Sequence, residues 1–204
     1  MFPVLFASLI AGMFSTPSVT LASSTASATP VHTAATSTVA AVPFYSQFKD
    51  ISSPSWQKVG CGITSLAMVI DFYATTSPSV NKLLSQGIAA GAYSNAGWTY
   101  AGLISLSKRY GMVGESRILY NASNASAKKK LKADVAQGPI IASVHYTFDP
   151  KNPIPHLVVV TSIEGDTLYY NDPAAKSGNQ KIAVDTFMKA WKKRYIVIRP
   201  QATS

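Results

Sequence analysis

The single cysteine of the chain, Cys61, is the residue whose neighbours best suit a nucleophile. It stands between Gly60 and Gly62 at the start of an apolar stretch, residues 62–73, that contains no later helix breaker. This stretch predicts a buried helix of about three turns. The free amides at a helix N-terminus carry roughly half a positive charge, which stabilises a thiolate, the reactive form of cysteine. For the residue taken alone, a buried structural cysteine is the alternative interpretation.

A histidine and an aspartate are predicted at one end of a β-hairpin. His156 enters the apolar residues 157–163, Asp172 follows residues 167–171, and Glu164-Gly165-Asp166 is typical of the turn between two strands. The two side chains then lie at the open end of the hairpin. There the carboxylate could accept the ring N–H of His156 and fix its tautomer. A structural histidine and an Asp-Pro turn are the separate alternatives.

The elements that would position these residues change in character along the chain. Helices are predicted near residues 62–73, 79–90 and 99–110, from Asn124 or Ser126 to Ala136, and at 185–193. Strands are predicted near residues 112–120, 140–146, 157–163, 167–170 and 195–198. Residues 42–47 suit an edge strand or an extended lead-in, and residues 48–60 suit a loop. Helices followed by an antiparallel sheet indicate an α+β fold.

The N-terminal part has the pattern of an export signal and a tether. Residues 1–14 are almost wholly apolar, and Thr20-Leu21-Ala22 offers a small-residue cleavage site. We therefore expect a signal peptide at 1–22, a flexible linker rich in Ser, Thr and Ala at 23–41, and a folded domain at 42–204, which predicts a secreted or cell-envelope-associated protein. No Lys or Arg precedes the apolar run. A buried N-terminal helix or a lipid-facing anchor is the alternative.

Composition excludes several classes of site. One Cys, three His and nine Asp+Glu argue against a disulfide framework, a metal site and an iron–sulfur site, and we predict no cofactor. No long apolar run occurs beyond the N-terminus, so we expect no transmembrane domain in the mature chain. The net charge of +9 belongs entirely to residues 49–204. It suggests weak contact with anionic envelope polymers or simply solubility, and no motif indicates nucleic acid binding.

Several segments resemble the bacteriocin-processing cysteine peptidases, and more closely the stand-alone secreted Peptidase_C39-like group. The segments that carry this resemblance are Val42–Gln47, Trp56, Cys61–Val69, Gly138–Val144, His156–Thr161 and Tyr170–Ala174. Together they span roughly residues 42–199. The resemblance implies a papain-like fold in which the helix that starts at Cys61 packs on a sheet bearing His156.

The resemblance also implies a role for each candidate residue. Cys61 would be the nucleophile, His156 the base and then the acid for the leaving group, and Asp172 the residue that orients His156. Gln47 would donate its side-chain N–H to the oxyanion, with the backbone N–H of Cys61 as the second donor. The chain departs from the family pattern at Ile63, where proline is frequent, and at Pro155, where a small residue is frequent. Neither change removes a reacting group.

Other residues compete for the same roles. His145 is the alternative base, and it lies within a predicted strand. The aromatic residues Tyr93, Trp98 and Tyr100 could line a substrate cleft, although core packing explains them equally simply. Trp56, just before Cys61, could cover the site or pack.

These observations favour an exported thiol hydrolase, most simply a cysteine peptidase acting on peptides or proteins through an acyl-enzyme. An amidase, deamidase or acyltransferase would use the same residues with another acyl acceptor. A non-catalytic secreted binding module is the third hypothesis, because a fold does not fix a function.

Overall fold

The structure is a computed structural model that describes residues 41–202. The predicted signal peptide and all but the last residue of the predicted linker lie outside the described residues. The helices are α1 (Pro54–Gln57), α2 (Cys61–Tyr73), α3 (Val80–Ala89), α4 (Tyr100–Ser107), α5 (Asn124–Val135) and α6 (Val184–Ala190). The strands are β1 (Tyr93–Ser94), β2 (Gly97–Trp98), β3 (Met112–Ile118), β4 (Ile140–His145), β5 (Pro155–Glu164), β6 (Thr167–Asn171), β7 (Gln180–Ala183) and β8 (Trp191–Pro200).

Strands β3 to β8 form one antiparallel sheet in the order β3-β8-β4-β5-β6-β7. Helices α2, α3 and α4 cover one face, and α5 and α6 cover the other. The run Leu157–Val160 is apolar at every position because β5 is buried on both sides. Leu157 and Val159 belong to the core on the α2 side, whereas Val158 and Val160 belong to the core beneath α5 and α6. The predicted α+β fold is confirmed.

Helix α2 is the most deeply buried helix near the site. Every residue from Gly62 to Ile70 is buried, as expected for a helix that is apolar on nearly all faces. It packs against β5, where Ser65 Oγ donates a hydrogen bond of 3.3 Å to the carbonyl oxygen of Leu157. The helix that begins at Cys61 is thereby fixed against the strand that carries His156.

Of the two alternatives for residues 42–47, the structure has the lead-in and not the strand, and two other local predictions need correction. Residues 42–46 form the lead-in, and Gln47 begins a turn. The side-chain amide of Asn171 holds the lead-in by donating to the carbonyls of Val42 (3.1 Å) and Pro43 (3.2 Å). The predicted loop at 48–60 contains the short helix α1, which starts at Pro54, a residue well suited to a first helical position. Helix α5 is capped by Ser123, whose Oγ accepts a hydrogen bond from Ser126 N at 3.2 Å, and not by Asn124 or Ser126.

The sequence prediction missed the two-residue strands β1 and β2 and the edge strand β7. Strand β8 is also much longer than the four residues predicted, because it begins directly where α6 ends. Among residues 41–202, the helices are all too short or too polar to cross a membrane.

A test of this packing uses Gly62, the second residue of α2. A Cβ at this position would lie 2.7 Å from the Cβ of Trp98, a side chain that lines the region around the helix start. We expect Gly62→Ala to lower the free energy of unfolding by about 1–3 kcal/mol through overpacking, although alanine is the better helix former by about 1 kcal/mol. Urea unfolding measures the difference.

The matched control is Ser85→Ala on the exposed side of α3, which should change stability by no more than about 0.5 kcal/mol. A Gly62→Ala protein more stable than the unmodified chain would contradict the proposed packing of α2 against Trp98.

Candidate active site

The predicted hairpin is present and brings His156 and Asp172 together. Strands β5 and β6 pair antiparallel up to Glu164 and Thr167, with a register shift between Val160 and Ser162. At the open end, His156 Nε2 lies 2.6 Å from Asp172 Oδ1. The same carboxylate oxygen accepts the backbone N–H of Ala174 at 2.8 Å, which fixes its position after the strand.

His156 is a buried side chain held in a defined orientation. Its side chain is 5% exposed, and the Tyr146 ring packs edge-on against it with centroids 5.1 Å apart. Burial lowers the pKa of His156, but hydrogen bonds to Asp172 and Cys61 outweigh burial and raise the pKa from 6.5 to about 9. With Nε2 engaged by Asp172, Nδ1 is the ring nitrogen left for the thiol of Cys61. The raised pKa of His156 favours its protonated form, an imidazolium, beside the sulfur of Cys61.

Cys61 is the first residue of α2 and is partly exposed. Gly60 precedes it, and a Cβ there would lie 2.3 Å from Ile51 Cδ1 and 3.2 Å from the Cβ of Gln47. The absence of a side chain at Gly60 thus lets the residues before the helix close tightly around its start. The first backbone amides of α2, including that of Cys61, have no acceptor within the helix.

Gln47 lies beside this helix start and is 4% exposed. Its backbone N–H donates to the carbonyl of Pro173 at 2.8 Å, which ties it to the segment that follows Asp172. Its Nε2 donates to the carbonyl of Gln57 at 2.7 Å, while Oε1 is buried without a partner among the described residues. The Nε2 group carries a second hydrogen beyond the one that Gln57 accepts, and Gln47 is one of the residues that line the adjoining cleft.

Cys61, His156 and Gln47 line one cleft of about 520 Å³. Tyr93, Trp98 and Tyr100 also line it, together with Tyr146, which the sequence did not single out. Trp98 is held in place by a hydrogen bond of 2.8 Å from its indole N–H to the carbonyl of Val59. The sequence leaves open whether Tyr93, Trp98 and Tyr100 pack in the core or line the cleft. Trp98 is both, being 8% exposed, and Tyr93 and Tyr100 remain partly exposed in the wall.

Two other candidates lie outside the cleft lining. Trp56 packs edge-on against Tyr93, with ring centroids 5.0 Å apart, and so supports the wall from behind. The Nδ1 of His145 lies 2.8 Å from the carbonyl oxygen of Asn152, and His145 pairs with Pro155 across β4 and β5. The structure therefore places His156, and not His145, in the same cleft as the cysteine. Among residues 41–202, no cluster of three or more His, Cys, Asp or Glu side chains could hold a metal ion.

The comparison with family models identifies the class of protein. The model of the Peptidase_C39 like family matches residues 39–203, and the chain belongs to that family. No curated protein matches the chain.

Solved structures agree with this assignment. A double-glycine-motif protease from an AMS/PCAT transporter, crystallised with its leader peptide, is 25% identical with a TM-score of 0.55, covering 81% of this chain and 96% of that one. A Bacillus anthracis protein described as a C39-like peptidase is 21% identical (TM-score 0.59; 79% and 96% covered). The peptidase domain of Streptococcus ComA, a bifunctional ABC transporter, is 20% identical (TM-score 0.51; 71% and 93% covered). The chain thus has an α+β papain-like fold, and its family and neighbours point to a cysteine peptidase.

The charge state of His156 can be tested through Asp172. We expect Asp172→Asn to remove the largest of the interactions that offset burial, so that His156 is neutral at pH 7.5 in the variant and protonated in the unmodified protein. Ring-proton and ring-nitrogen NMR shifts measure this state. Because the pKa of His156 is raised on folding, the protonated ring stabilises the folded state. This stabilisation is complete below about pH 6.5 and is lost as the pH rises through about 9.

The substitution should therefore cost about 1.5–3 kcal/mol of unfolding free energy at pH 6 and less above pH 9. Asp185→Asn is the control, since the Asp185 side chain is 86% exposed and its ion pair with Lys128 should contribute at most about 1 kcal/mol. An unchanged His156 titration in the Asp172→Asn protein would contradict the assignment.

Proposed function

We propose that the protein is an exported cysteine peptidase that cleaves peptide bonds through an acyl-enzyme on Cys61. The observation that supports this most directly is that Cys61 and His156 line the same aromatic cleft, with His156 hydrogen-bonded to Asp172. A nucleophile, a base and a group that orients the base are the three components of such a site.

In the first half-reaction, the Cys61 thiolate attacks the carbonyl carbon of the scissile peptide bond. The C=O electrons move to oxygen and give a tetrahedral oxyanion. When that intermediate collapses, the C–N bond breaks and His156 gives its Nδ1 proton to the departing amine. The products are a free amine and a thioester on Cys61.

In the second half-reaction, water enters where the amine left. Neutral His156 takes a proton from this water, and the hydroxide attacks the thioester carbonyl. The C–S bond then breaks, so that a carboxylic acid is released and the thiolate–imidazolium pair is restored. Asp172 keeps the imidazole ring in one orientation through both steps and stabilises its positive charge.

The oxyanion would be bound by two donors from different parts of the chain. One is the second Nε2 hydrogen of Gln47, whose first hydrogen is used by the carbonyl of Gln57. The other is the backbone N–H of Cys61 at the positive end of α2. The backbone N–H of Gln47 is also bonded to the carbonyl of Pro173, just after Asp172. The proposed oxyanion donor and the residue that orients His156 are therefore held in fixed positions relative to each other.

A peptide or protein is the substrate class that the cleft suits best. Its aromatic wall can pack against an extended chain, and one structural neighbour was crystallised with a leader peptide. Export is proposed from the apolar N-terminal sequence, and the net charge of +9 would favour weak contact with anionic polymers outside the membrane.

Purified protein and its Cys61→Ala variant provide the test. Each is incubated with an epoxide inhibitor of thiol proteases and measured by intact mass, then with a mixed peptide library analysed by mass spectrometry. We expect both the adduct and the cleavage products with the unmodified protein and neither with the variant. An adduct without any hydrolysis of the library would indicate a narrow substrate or the acyltransferase alternative, and no adduct at all in folded protein would contradict a reactive Cys61.

The proposed oxyanion donor gives a separate prediction. Gln47→Ala should lower kcat by about 100- to 1,000-fold, because one preorganised donor to the developing negative charge is lost. Steady-state hydrolysis of a cleaved library peptide measures the effect. Gln137→Ala, an exposed substitution after α5, should leave kcat within about twofold. Equal rates in the two variants would exclude Gln47 from this role.

A further inference from the structure

The cleft carries positive charge that the proposed reaction does not use. Apart from His156, its charged lining residues are Lys58 and Arg194, and the described residues that line it include no Asp or Glu. A cleft lined by one sign of charge raises the local concentration of ligands of the opposite sign. The two cations differ in setting, since Lys58 is exposed and Arg194 is partly buried.

Arg194 reaches the cleft because strand β8 is distorted at this point. Ala142 pairs with Tyr195, and Val144 with Trp191, so that residues 192–194 all lie opposite the single residue Ser143 of β4. Such bulges redirect side chains and are frequent beside active sites. Lys193, in the middle of the bulge, has a φ of 49°, a conformation that disfavours residues with a side chain and typically costs about 1–3 kcal/mol.

The surrounding chain holds the bulge in this strained form. The indole N–H of Trp191 donates to the carbonyl of Arg194 at 3.2 Å, and Lys193 Nζ donates to the carbonyl of Ala122 at 2.9 Å. The carbonyl of Lys193 accepts the backbone N–H of Leu119 at 2.8 Å. The direction of the Arg194 side chain is therefore built into the sheet.

The guanidinium group of Arg194, which the bulge turns toward the cleft, has no anionic partner among the described residues. Among residues 41–202, no ion pair includes Arg194, and its Nε is buried without a hydrogen-bond acceptor. Its contact is the face of Tyr100, with the guanidinium carbon 5.5 Å from the ring centroid. A buried donor without an acceptor is costly, and a carboxylate is the group that satisfies a guanidinium in two parallel hydrogen bonds.

We propose that Arg194 binds a carboxylate of the peptide substrate and makes the cleft selective for anionic peptides. This inference rests on the proposed function. The carboxylate belongs either to an acidic side chain or to the C-terminus of the peptide, since both present the same group.

The sheet sets the position of this subsite relative to the reacting atoms. Arg194 on β8 and His156 on β5 are separated by β4, so they stand two strand spacings apart, about 10 Å. An extended peptide advances about 3.3–3.6 Å per residue. The bound carboxylate is thus expected two or three residues from the scissile bond, and a C-terminal carboxylate would make the enzyme remove short C-terminal peptides.

The competing cation is Lys58. It follows α1 at the rim of the cleft, and an exposed ammonium keeps its hydration and gains little from a partner. Arg194 instead presents a planar, partly dehydrated guanidinium group whose N–H donors have fixed directions. Selectivity should accordingly depend on Arg194 and not on Lys58.

The experiment compares peptide pools that differ only in one carboxylate. One set fixes Asp or Asn at each position in turn among neutral residues, and a second set ends in a free carboxylate or in an amide. Cleavage is measured with the unmodified full chain and with four single variants of it: Arg194→Gln, Arg194→Lys, Lys58→Gln and Arg109→Gln. Arg109 is exposed and does not line the cleft, so it controls for loss of charge.

We expect kcat/KM of the unmodified protein to be about 10- to 100-fold higher for the acid than for its amide at one position. Arg194→Gln should abolish that ratio, Arg194→Lys should restore part of it, and Lys58→Gln and Arg109→Gln should preserve it. A merely structural role for Arg194 would lower both rates and leave the ratio unchanged. That result, or a ratio that depends on Lys58, would overturn the proposal.

Binding to the inactive protein separates this inference from the proposed function. Fluorescently labelled pools are titrated with Cys61→Ala and with Cys61→Ala/Arg194→Gln, using anisotropy. If the acid pools bind more tightly than the amide pools, and if this difference is lost in the Arg194→Gln protein, the subsite is supported even when the active chain cleaves no pool. Equal or undetectable binding of the two pools would overturn it, whether or not the active chain cleaves peptides.

Discussion

The contact of 2.6 Å between His156 Nε2 and Asp172 Oδ1 is the interaction on which the rest of the site depends. Burial alone would leave His156 neutral, and its hydrogen bonds to Asp172 and Cys61 raise its pKa to about 9 instead. The pairing of β5 with β6 brings the two side chains to one end of the hairpin, and the turn at Ala174 holds the carboxylate. A protonated His156 beside the sulfur is what gives the cysteine its nucleophilic form in the proposed mechanism.

Cys61 is positioned relative to this pair by steric constraints and not by further charges. Gly60 allows the preceding residues to close on the start of α2, and Gly62 allows Trp98 to pack directly against the helix. Helix α2 is in turn buried between the sheet and α3 and α4, so Cys61 has little freedom relative to β5. The site is thus positioned by rigid elements, which is the arrangement that orienting a nucleophile and its base requires.

Much of this arrangement can be derived from the sequence, and the limits have physical causes. The hairpin that joins His156 to Asp172 follows from two β-rich runs around Glu164-Gly165-Asp166, and the buried helix after Cys61 follows from its unbroken apolar residues. Gln47 owes its position to long-range contacts, so its residue type alone would place it on the surface; only the family resemblance indicated its role. The bulge that turns Arg194 into the cleft depends on the register between β4 and β8, and residue patterns carry almost no information about such a register shift.

The central claim is that His156 activates Cys61, and the chain's single cysteine makes that claim directly measurable. The measurement is the rate of iodoacetamide alkylation of the folded protein at pH 6, with and without His156→Ala. We predict fast alkylation of the unmodified protein and at least about tenfold slower alkylation of the variant, because the thiolate loses its cationic partner. Equal rates in two folded proteins would contradict it.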